Sequence, residues 1–341
     1  MKERRWQLWF GGLVGFTTLV LGLMLVRPRP GLAVEGPVNL TPHPDHRPRP
    51  AAYPPPWAPT LGEHFLLGRA FPPVHADIPL PDSRYGLRLP SGGVHTGIDL
   101  PAPAGTPVLA LDEGVVVRVE RGAAEGQMHG GTPYGVHVLL RHDRGWQGYR
   151  LYTLYAHLER AVVRRGDRLR RGQVLGYVGK TGQATGPHLH LEVRFAQEER
   201  PEPFQTLNPE LWMAPYVNWG ALVGQVRNTW GYLLQNRRVF LIPQEWEPQT
   251  HDLWHGYRTL RLRTYTFGPS ITRDPLYNEN FAIGNLPAGR YRLVVEYGKA
   301  LMDTEIYIRP GRVTFFMFRG MEGFTLGPVT LMRTPEPPVQ P

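Results

Sequence analysis

From Leu61 to Pro215 the chain is cut into short runs of alternating apolar and polar residues, and no run is long enough to make an extended helix. VLALDEGVVVRVE, GVHVLLRH, YRLYTLYAHL and HLHLEVRF are separated by the glycine-rich stretches RGAAEGQMHGGTPYG, RRGDRLRRGQ and GKTGQATGP. Alternation with period two, bounded by turn residues, predicts strands. A second series begins near Trp219: LVGQVRNTWGYLLQNRRVFLIPQ, YRTLRLRTYTF, NFAIGNLPAGRYRLVVEYG, TEIYIRPG and RVTFFMF. The expected fold is therefore mainly β: a compact antiparallel sheet domain over 61–215, then a C-terminal β-sandwich over 216–333. A proline-rich tail, 334–341, closes the chain. The 39 glycines and 36 prolines among 341 residues suit short strands and tight turns. No GxGxxG opens a helix, and P-loop and GxSxG patterns are missing, which sets aside dinucleotide, nucleotide and serine-hydrolase chemistry.

The N-terminus has a different texture. Lys2, Arg4 and Arg5 precede an apolar run that carries no charge from Trp9 to Val26. That length suits a bilayer crossing, and the flanking cations place the N-terminus in the cytoplasm. The segment 1–26 reads either as an uncleaved transmembrane anchor or as a signal peptide cleaved near Gly31-Leu32-Ala33. In the first reading the remainder is exported and anchored in the cell envelope; in the second it is secreted after signal cleavage. Residues 27–60, with RPRPG, HRPRP and YPPPW, read as an extended linker, and His43 and His46 within it as solvent-exposed. The chain has no cysteine, so disulfides and thiolate metal sites are excluded. Its net charge of +9 suits any anionic partner. No compact Lys/Arg cluster with interleaved aromatics is present, so nucleic acid is not expected.

The chemistry concentrates in the first β region. In TGPHLHLEVRF, His188, His190 and Glu192 share one strand face, and Leu189, Leu191 and Val193 share the other. In YTLYAHL the same phase pairs Tyr155 with His157. His95 and Asp99, in GGVHTGIDL, also differ by an even number and can face one way in an extended segment. A sheet can thus gather imidazoles and a carboxylate on one wet face. Two histidines and a carboxylate meet the ligand count of a catalytic zinc centre, which keeps its fourth position open.

The motifs H-x-x-x-D at His95–Asp99, Y-A-H-L at Tyr155–Leu158 and G-P-H-L-H at Gly186–His190 resemble those of the lysostaphin-type (β-lytic) zinc metallopeptidases. The flanks RYGLR, DLPAPAGTPVLALDEGVV and RRGQVLGYVGKTG agree, so the resemblance runs from Arg84 to Val193. It implies that His95, Asp99 and His190 hold Zn²⁺, and that His157 and His188 act as proton carrier and transition-state stabiliser. It also implies a peptidoglycan peptide substrate, in the stem or cross-bridge, and a role in wall remodelling. The alternative is a non-catalytic wall-binding protein that regulates other hydrolases. GQVRNTWGYLLQNRRVFLI and FAIGNLPAGRYRLVVEYG resemble carboxypeptidase-regulatory-like β-sandwich modules, which implies no chemistry.

Other residues are read more plainly. Glu192 is expected to make a surface or supporting contact, and Tyr155 to be half-buried. His142 reads as structural, and His137 is left without a role. His129 could line a groove. The pair His251 and His255 lacks the HExxH glutamate. The run Arg164, Arg165, Arg168, Arg170, Arg171 reads as a solvated hairpin with a possible affinity for anionic wall polymer.

Overall fold

The computed structural model describes residues 50–60, 62–121, 133–197, 205–245 and 259–327. All of them fall in the compact unit Val38–Pro341. The apolar run Trp9–Val26, His43, His46, His129, His251 and His255 lie outside the described residues. Among the described residues no helix is long and apolar enough to cross a membrane.

The strands of the first region are β1 (Ile98–Pro101), β2 (Pro107–Leu109), β3 (Gly114–Glu120), β4 (Val136–Trp146), β5 (Tyr149–Ala161), β6 (Arg168–Leu169), β7 (Val174–Val178), β8 (His188–Gln197) and β9 (Gln205–Leu207). They form one nine-stranded sheet of order β1-β8-β5-β4-β3-β6, with β7 joined to β2 and β5, and β9 to β8. Its named strands pair antiparallel with one another. The long β4–β5 hairpin turns at Gln147 and Gly148, both with positive φ. That matches the twist of the strands it joins. One sheet face carries Leu189, Leu191 and Val193 of β8 and Leu151 and Tyr155 of β5 into the main core. The expected β8 alternation is therefore present. Tyr155 is wholly buried and not half-exposed, its hydroxyl accepting from Leu111 N–H at 2.9 Å.

The second region consists of β10 (Trp219–Arg227), β11 (Arg238–Pro243), β12 (Leu260–Arg263), β13 (Phe281–Pro287), β14 (Gly289–Tyr297), β15 (Ala300–Ile308), β16 (Val313–Arg319) and β17 (Gly323–Leu326). They make two four-stranded sheets, β13-β10-β16-β17 and β12-β11-β14-β15. Leu222, Val226, Ile283, Phe316 and Phe318 of the first share a core with Val239, Leu241, Leu262, Leu293 and Ile306 of the second. The result is a sandwich, with one parallel pair, β10–β16, inside it.

The sandwich is not insulated from the first region. Ala221 and Val223 of β10, Ala282 of β13 and Val313 and Phe315 of β16 belong to the same core as Leu67, Trp212 and Tyr85. The sheet containing β10 is covered on both faces, which is why β10 reads as a nearly unbroken apolar run. Buried polar ties cross the same junction. Arg69 donates to Asn285 Oδ1 at 3.1 Å, Asn208 donates to the Tyr265 hydroxyl at 2.9 Å, and Gly284 N–H donates to Glu210 at 2.7 Å. The end of the expected linker is also packed, not extended. Tyr53 stacks on Trp57, and Trp57 Nε1 donates to Gly311 O at 2.7 Å.

Burial of this shared surface gives a testable outcome. The full chain is expected to unfold as one cooperative calorimetric transition. A chain ending at residue 215 exposes Leu67, Tyr85 and Trp212 to water and is expected to aggregate or melt without a sharp transition. A soluble, cooperatively folded 50–215 fragment would show that the two regions are independent.

Candidate metal centre

β8 is the axis of the site. Its outer face presents His188, His190, Glu192 and Arg194, since the intervening leucines and Val193 are in the core. Antiparallel pairing sets Asp99 of β1 directly opposite His190, and Pro101 opposite His188. On the other side, the small Ala156 of β5 lies opposite His190. Just before β1, Gly97 passes so close to β8 that a Cβ there would lie 2.3 Å from Leu191 O. Any side chain would push β1 away and separate Asp99 from His190.

His95 is carried by the hairpin leading into β1. Its N–H donates to Leu87 O, and Gly86 N–H donates to His95 O, both at 2.8 Å. Gly86 has φ +76, and a Cβ there would collide with the Tyr265 ring at 2.7 Å. Thr266 N–H donates to Gly86 O at 2.7 Å. The chain that leaves β12 of the sandwich therefore buttresses the hairpin that holds His95.

These elements bring His95 Nε2, Asp99 Oδ1 and His190 Nδ1 together: 3.0 Å from His95 to Asp99, 3.1 Å from His95 to His190, and 2.9 Å from His190 to Asp99. The remaining ring nitrogens are engaged. His95 Nδ1 lies 3.0 Å from Arg84 O, and His190 Nε2 lies 3.0 Å from Glu192 Oε1. In the neutral rings each N–H points to those acceptors, so two nitrogen lone pairs and a carboxylate oxygen face each other with no proton between them. Tetrahedral ligands at zinc–nitrogen distances sit roughly 3.3 Å apart. The donor set and its spacing fit Zn²⁺, with His95, Asp99 and His190 as holders.

The electrostatics ask for a cation at the same place. Burial pulls the His190 pKa down, but hydrogen bonds with Asp99 and Glu192 outweigh it and carry it up to about 9. Burial raises the Asp99 pKa, yet hydrogen bonds with His190 and His95 hold it well below the usual carboxylate range. The carboxylates of Asp99 and Glu192 thus favour positive charge at this spot.

His157 and His188 stand beside this cluster. Their rings lie 4.8 Å apart, and the His157 ring lies 5.7 Å from that of His190. His188 Nε2 is 3.7 Å from Asp99 Oδ1. Each Nδ1 is tied to a carbonyl, Thr181 O for His157 and Gly186 O for His188, both at 2.8 Å. Burial, then the neighbouring His190 and His188, push the His157 pKa down to about 3, and burial also lowers that of His188. Both are neutral imidazoles at neutral pH.

The alternation argument for His157 fails. Strict phase would bury it beside Tyr155. The β4–β5 register instead shifts between Val136 and Val138, and His157 takes φ +60. This bulge turns the ring out to the metal face. Thr181 stabilises the distortion: its hydroxyl donates to Leu158 O at 2.7 Å and accepts from Val136 N–H at 2.9 Å.

Supporting residues were only partly foreseeable. Glu192 is fully buried, so of its two expected roles the supporting one applies. It accepts from Thr96 at 2.5 Å, Tyr134 at 2.8 Å and Arg194 at 2.5 Å. Arg194 continues the His188-His190-Glu192 phase and could have been found from it; Tyr134 and Thr181 carried no such signal. His137 is buried with Nδ1 on Gly135 O. The arginine run is largely exposed, with Arg168 on Asp143 and Arg171 on Asp112 and Pro55 O.

Comparisons with known proteins cover this part of the chain. Residues 93–203 match the sequence profile of peptidase family M23. The first β region is an M23 peptidase domain. It is 43% identical over 129 residues to the DD-carboxypeptidase/endopeptidase Mpg of Neisseria meningitidis, covering 38% of this chain and 26% of that protein. It is 39% identical over 98 residues to the peptidoglycan DD-endopeptidase ShyC of Vibrio cholerae, covering 29% of this chain and 19% of the relative. This chain thus matches only about a quarter or less of each relative's length. Among solved structures, a variant catalytic domain of the prophage-encoded M23 protein EnpA from Enterococcus faecalis matches at 33% identity and TM-score 0.29, covering 38% of this chain and 88% of that one.

Two predictions come from the M23 domain's geometry. Glu192→Gln keeps the shape but weakens the acceptor that fixes the His190 tautomer. Zinc affinity, measured by chelator competition, is expected to fall about 10- to 100-fold; unchanged affinity would remove Glu192 from the site. The second concerns His142, buried away from the metal with Nε2 3.0 Å from Thr153 Oγ1. Burial pushes its pKa down to about 4 despite Asp112. The unfolded ring takes up a proton near pH 6.5 while the folded ring does not, so stability falls as pH drops from about 6.5 to about 4, by up to about 3 kcal/mol. Denaturant titrations across that range should show this slope flattened in His142→Gln.

Proposed function

We propose that this protein is an exported, zinc-dependent endopeptidase that hydrolyses peptide bonds in the stem or cross-bridge peptides of peptidoglycan, held at the membrane by Trp9–Val26. The observation that carries the reading is the convergence of His95 Nε2, Asp99 Oδ1 and His190 Nδ1 beside two neutral imidazoles, inside an M23 peptidase domain. Relatives named as a DD-carboxypeptidase/endopeptidase and a peptidoglycan DD-endopeptidase, and a net charge of +9, suited to an anionic wall, support the substrate class.

Bound zinc supplies Lewis-acid polarisation of the scissile carbonyl and activation of water. His95 and His190 orient their lone pairs through Arg84 O and Glu192, so the shell is set before the ion arrives. With Nδ1–H donated to a carbonyl, His157 and His188 each retain Nε2 to accept a proton from the attacking water or to return one to the departing amine. Their depressed pKa values keep that nitrogen unprotonated at neutral pH. Asp99 and His188 are the more open members of the cluster, with side chains 24% and 15% exposed, and mark the side from which a peptide enters.

The test is digestion of purified peptidoglycan by the full chain, with mass spectrometry of the released muropeptides. Peptide-bond cleavage that a chelator abolishes and zinc restores is expected. His95→Ala, Asp99→Ala and His190→Ala should lose both zinc and activity. His157→Ala should keep near-stoichiometric zinc while kcat falls by about 10²- to 10⁴-fold. If His188→Ala loses zinc and His190→Ala keeps it, the two roles are exchanged. Absence of any released product from zinc-loaded protein would favour a regulatory, non-catalytic wall protein.

A further inference from the structure

Three stretches of chain meet at His157: the bulge of β5, residues 133–136 at the entrance to β4, and the turn 179–187 that leads into β8. Thr181, in the turn, touches the other two. Its hydroxyl donates to Leu158 O at 2.7 Å and accepts from Val136 N–H at 2.9 Å. Its carbonyl accepts from His157 Nδ1 at 2.8 Å. Around these bonds His157 N–H donates to Tyr134 O and Gln183 N–H to Pro133 O, both at 2.9 Å. Two glycines let the backbones come this close. A Cβ on Gly135 would lie 2.4 Å from Thr181 C, and one on Gly182 would lie 2.4 Å from Gly135 N. The same turn carries Gly186, whose carbonyl holds His188 Nδ1 at 2.8 Å. One turn therefore supplies the acceptors of both imidazoles that flank His95, Asp99 and His190.

β5 has another path open to it. With regular alternation His157 would follow Tyr155 into the core, and its φ of +60 is disfavoured for any residue with a Cβ. The pairing of β5 is irregular on both sides, between Val136 and Val138 towards β4 and between Leu158 and Arg160 towards β7. Leu158 O and Val136 N–H lie where regular pairing is interrupted, and the Thr181 hydroxyl serves both. Without it, two backbone groups of buried residues lose this partner, and restoring their pairing means undoing the bulge. We propose that Thr181 is the positioning residue for His157 in peptide hydrolysis. Its hydroxyl keeps β5 bulged so that the ring faces His188 and His190, and its carbonyl fixes Nε2 as the nitrogen presented to the reaction. The inference rests on the peptidase reading above and adds a group that acts through another. Loss of the hydroxyl misplaces one imidazole and spares the metal holders, because His95 and His190 are oriented through Arg84 O and Glu192 instead.

The test compares Thr181→Val, which keeps the shape and removes both hydroxyl bonds, with Thr181→Ser, which retains the hydroxyl. Both are made in the full zinc-loaded chain and assayed on soluble cross-linked peptidoglycan fragments. In the valine variant kcat is expected to fall about 10- to 100-fold with zinc content and KM unchanged, and the serine variant should stay within about threefold of wild type. In the His157→Ala background Thr181→Val should cause no further loss, which separates positioning of His157 from general damage to the fold. A second readout needs no turnover. In protein labelled with nitrogen-15 histidine, the Nδ1–H of His157 is identified by its disappearance in His157→Ala. It should exchange slowly with water in the wild type and in Thr181→Ser, and fast in Thr181→Val. Thr181→Ala, which leaves room for water at the freed backbone groups, is measured in the same way should the valine variant fail to fold. Equal loss in the serine and valine variants, additive loss with His157→Ala, loss of zinc together with activity, or unchanged exchange in Thr181→Val would each overturn the proposal. If the wild type releases no product, the peptidase reading fails, and the exchange of the His157 proton still decides whether Thr181 holds that ring.

Discussion

His190 can offer Nδ1 to a cation only because Nε2 is already engaged by the buried carboxylate of Glu192. That one hydrogen bond fixes the tautomer, and much of the surrounding structure exists to hold it. Glu192 is fully buried and ionised, so its negative charge must be met on every side. Burial alone would raise its pKa, but Arg194 and His190 drive it far below the ordinary value. Thr96 and Tyr134 saturate the oxygen that also serves His190. A carboxylate so enclosed has little freedom to rotate, and neither has the imidazole it holds. A metal centre built this way meets the ordering cost during folding instead of at metal binding.

The same logic extends to His95, at longer range. Its ring is oriented by a backbone carbonyl, Arg84 O, so its position depends on the path of the 84–95 hairpin. That path is held by a chain of contacts running into the sandwich: Tyr265 against Gly86, Thr266 on Gly86 O, and Arg84 on Glu210, whose carboxylate also takes Gly284 N–H. The second region is thus a structural half of the first region's site. A composition-based boundary near residue 215 is real in sheet topology and absent in packing, because β10 faces the sandwich core with Leu222 and Val226 and the peptidase core with Ala221 and Val223.

What was legible in the sequence follows what period two can encode. The two faces of β8 and the sheet-on-sheet character of the second region come directly from alternation. The grouping of His95, Asp99 and His190 is suggested by phase, but it was the resemblance that chose them from the other histidines. His157 reaches the site for a reason alternation cannot express: one extra residue in β5 reverses the phase between Tyr155 and His157. Thr181, which sustains that bulge, sits in a glycine-rich turn where no periodic pattern points to it. The packing of 50–60 was hidden because proline-rich composition resembles a spacer whether or not its aromatics find a partner; here Trp57 does, at Gly311.

The asymmetry between His188 and His190 shows how little separates a ligand from its neighbour on the same strand face. Both rings point outward from β8, two residues apart. His190 is flanked by Asp99 on one strand and by the methyl group of Ala156 on the other, which leaves its ring in contact with the carboxylate at 2.9 Å. His188 pairs with Pro101 at the end of β1, and its Nδ1 is turned back to Gly186 O, two residues earlier in the chain. Its Nε2 reaches no closer than 3.7 Å to Asp99. Orientation by a local carbonyl keeps His188 beside the cluster of His95, Asp99 and His190 but out of contact with it. His157, tied in the same way to Thr181 O, is placed by the bulge on the other flank. A strand and a single bulge thus set three imidazoles apart, His190 against Asp99 and His157 and His188 beside it, according to which acceptor each Nδ1 or Nε2 is given.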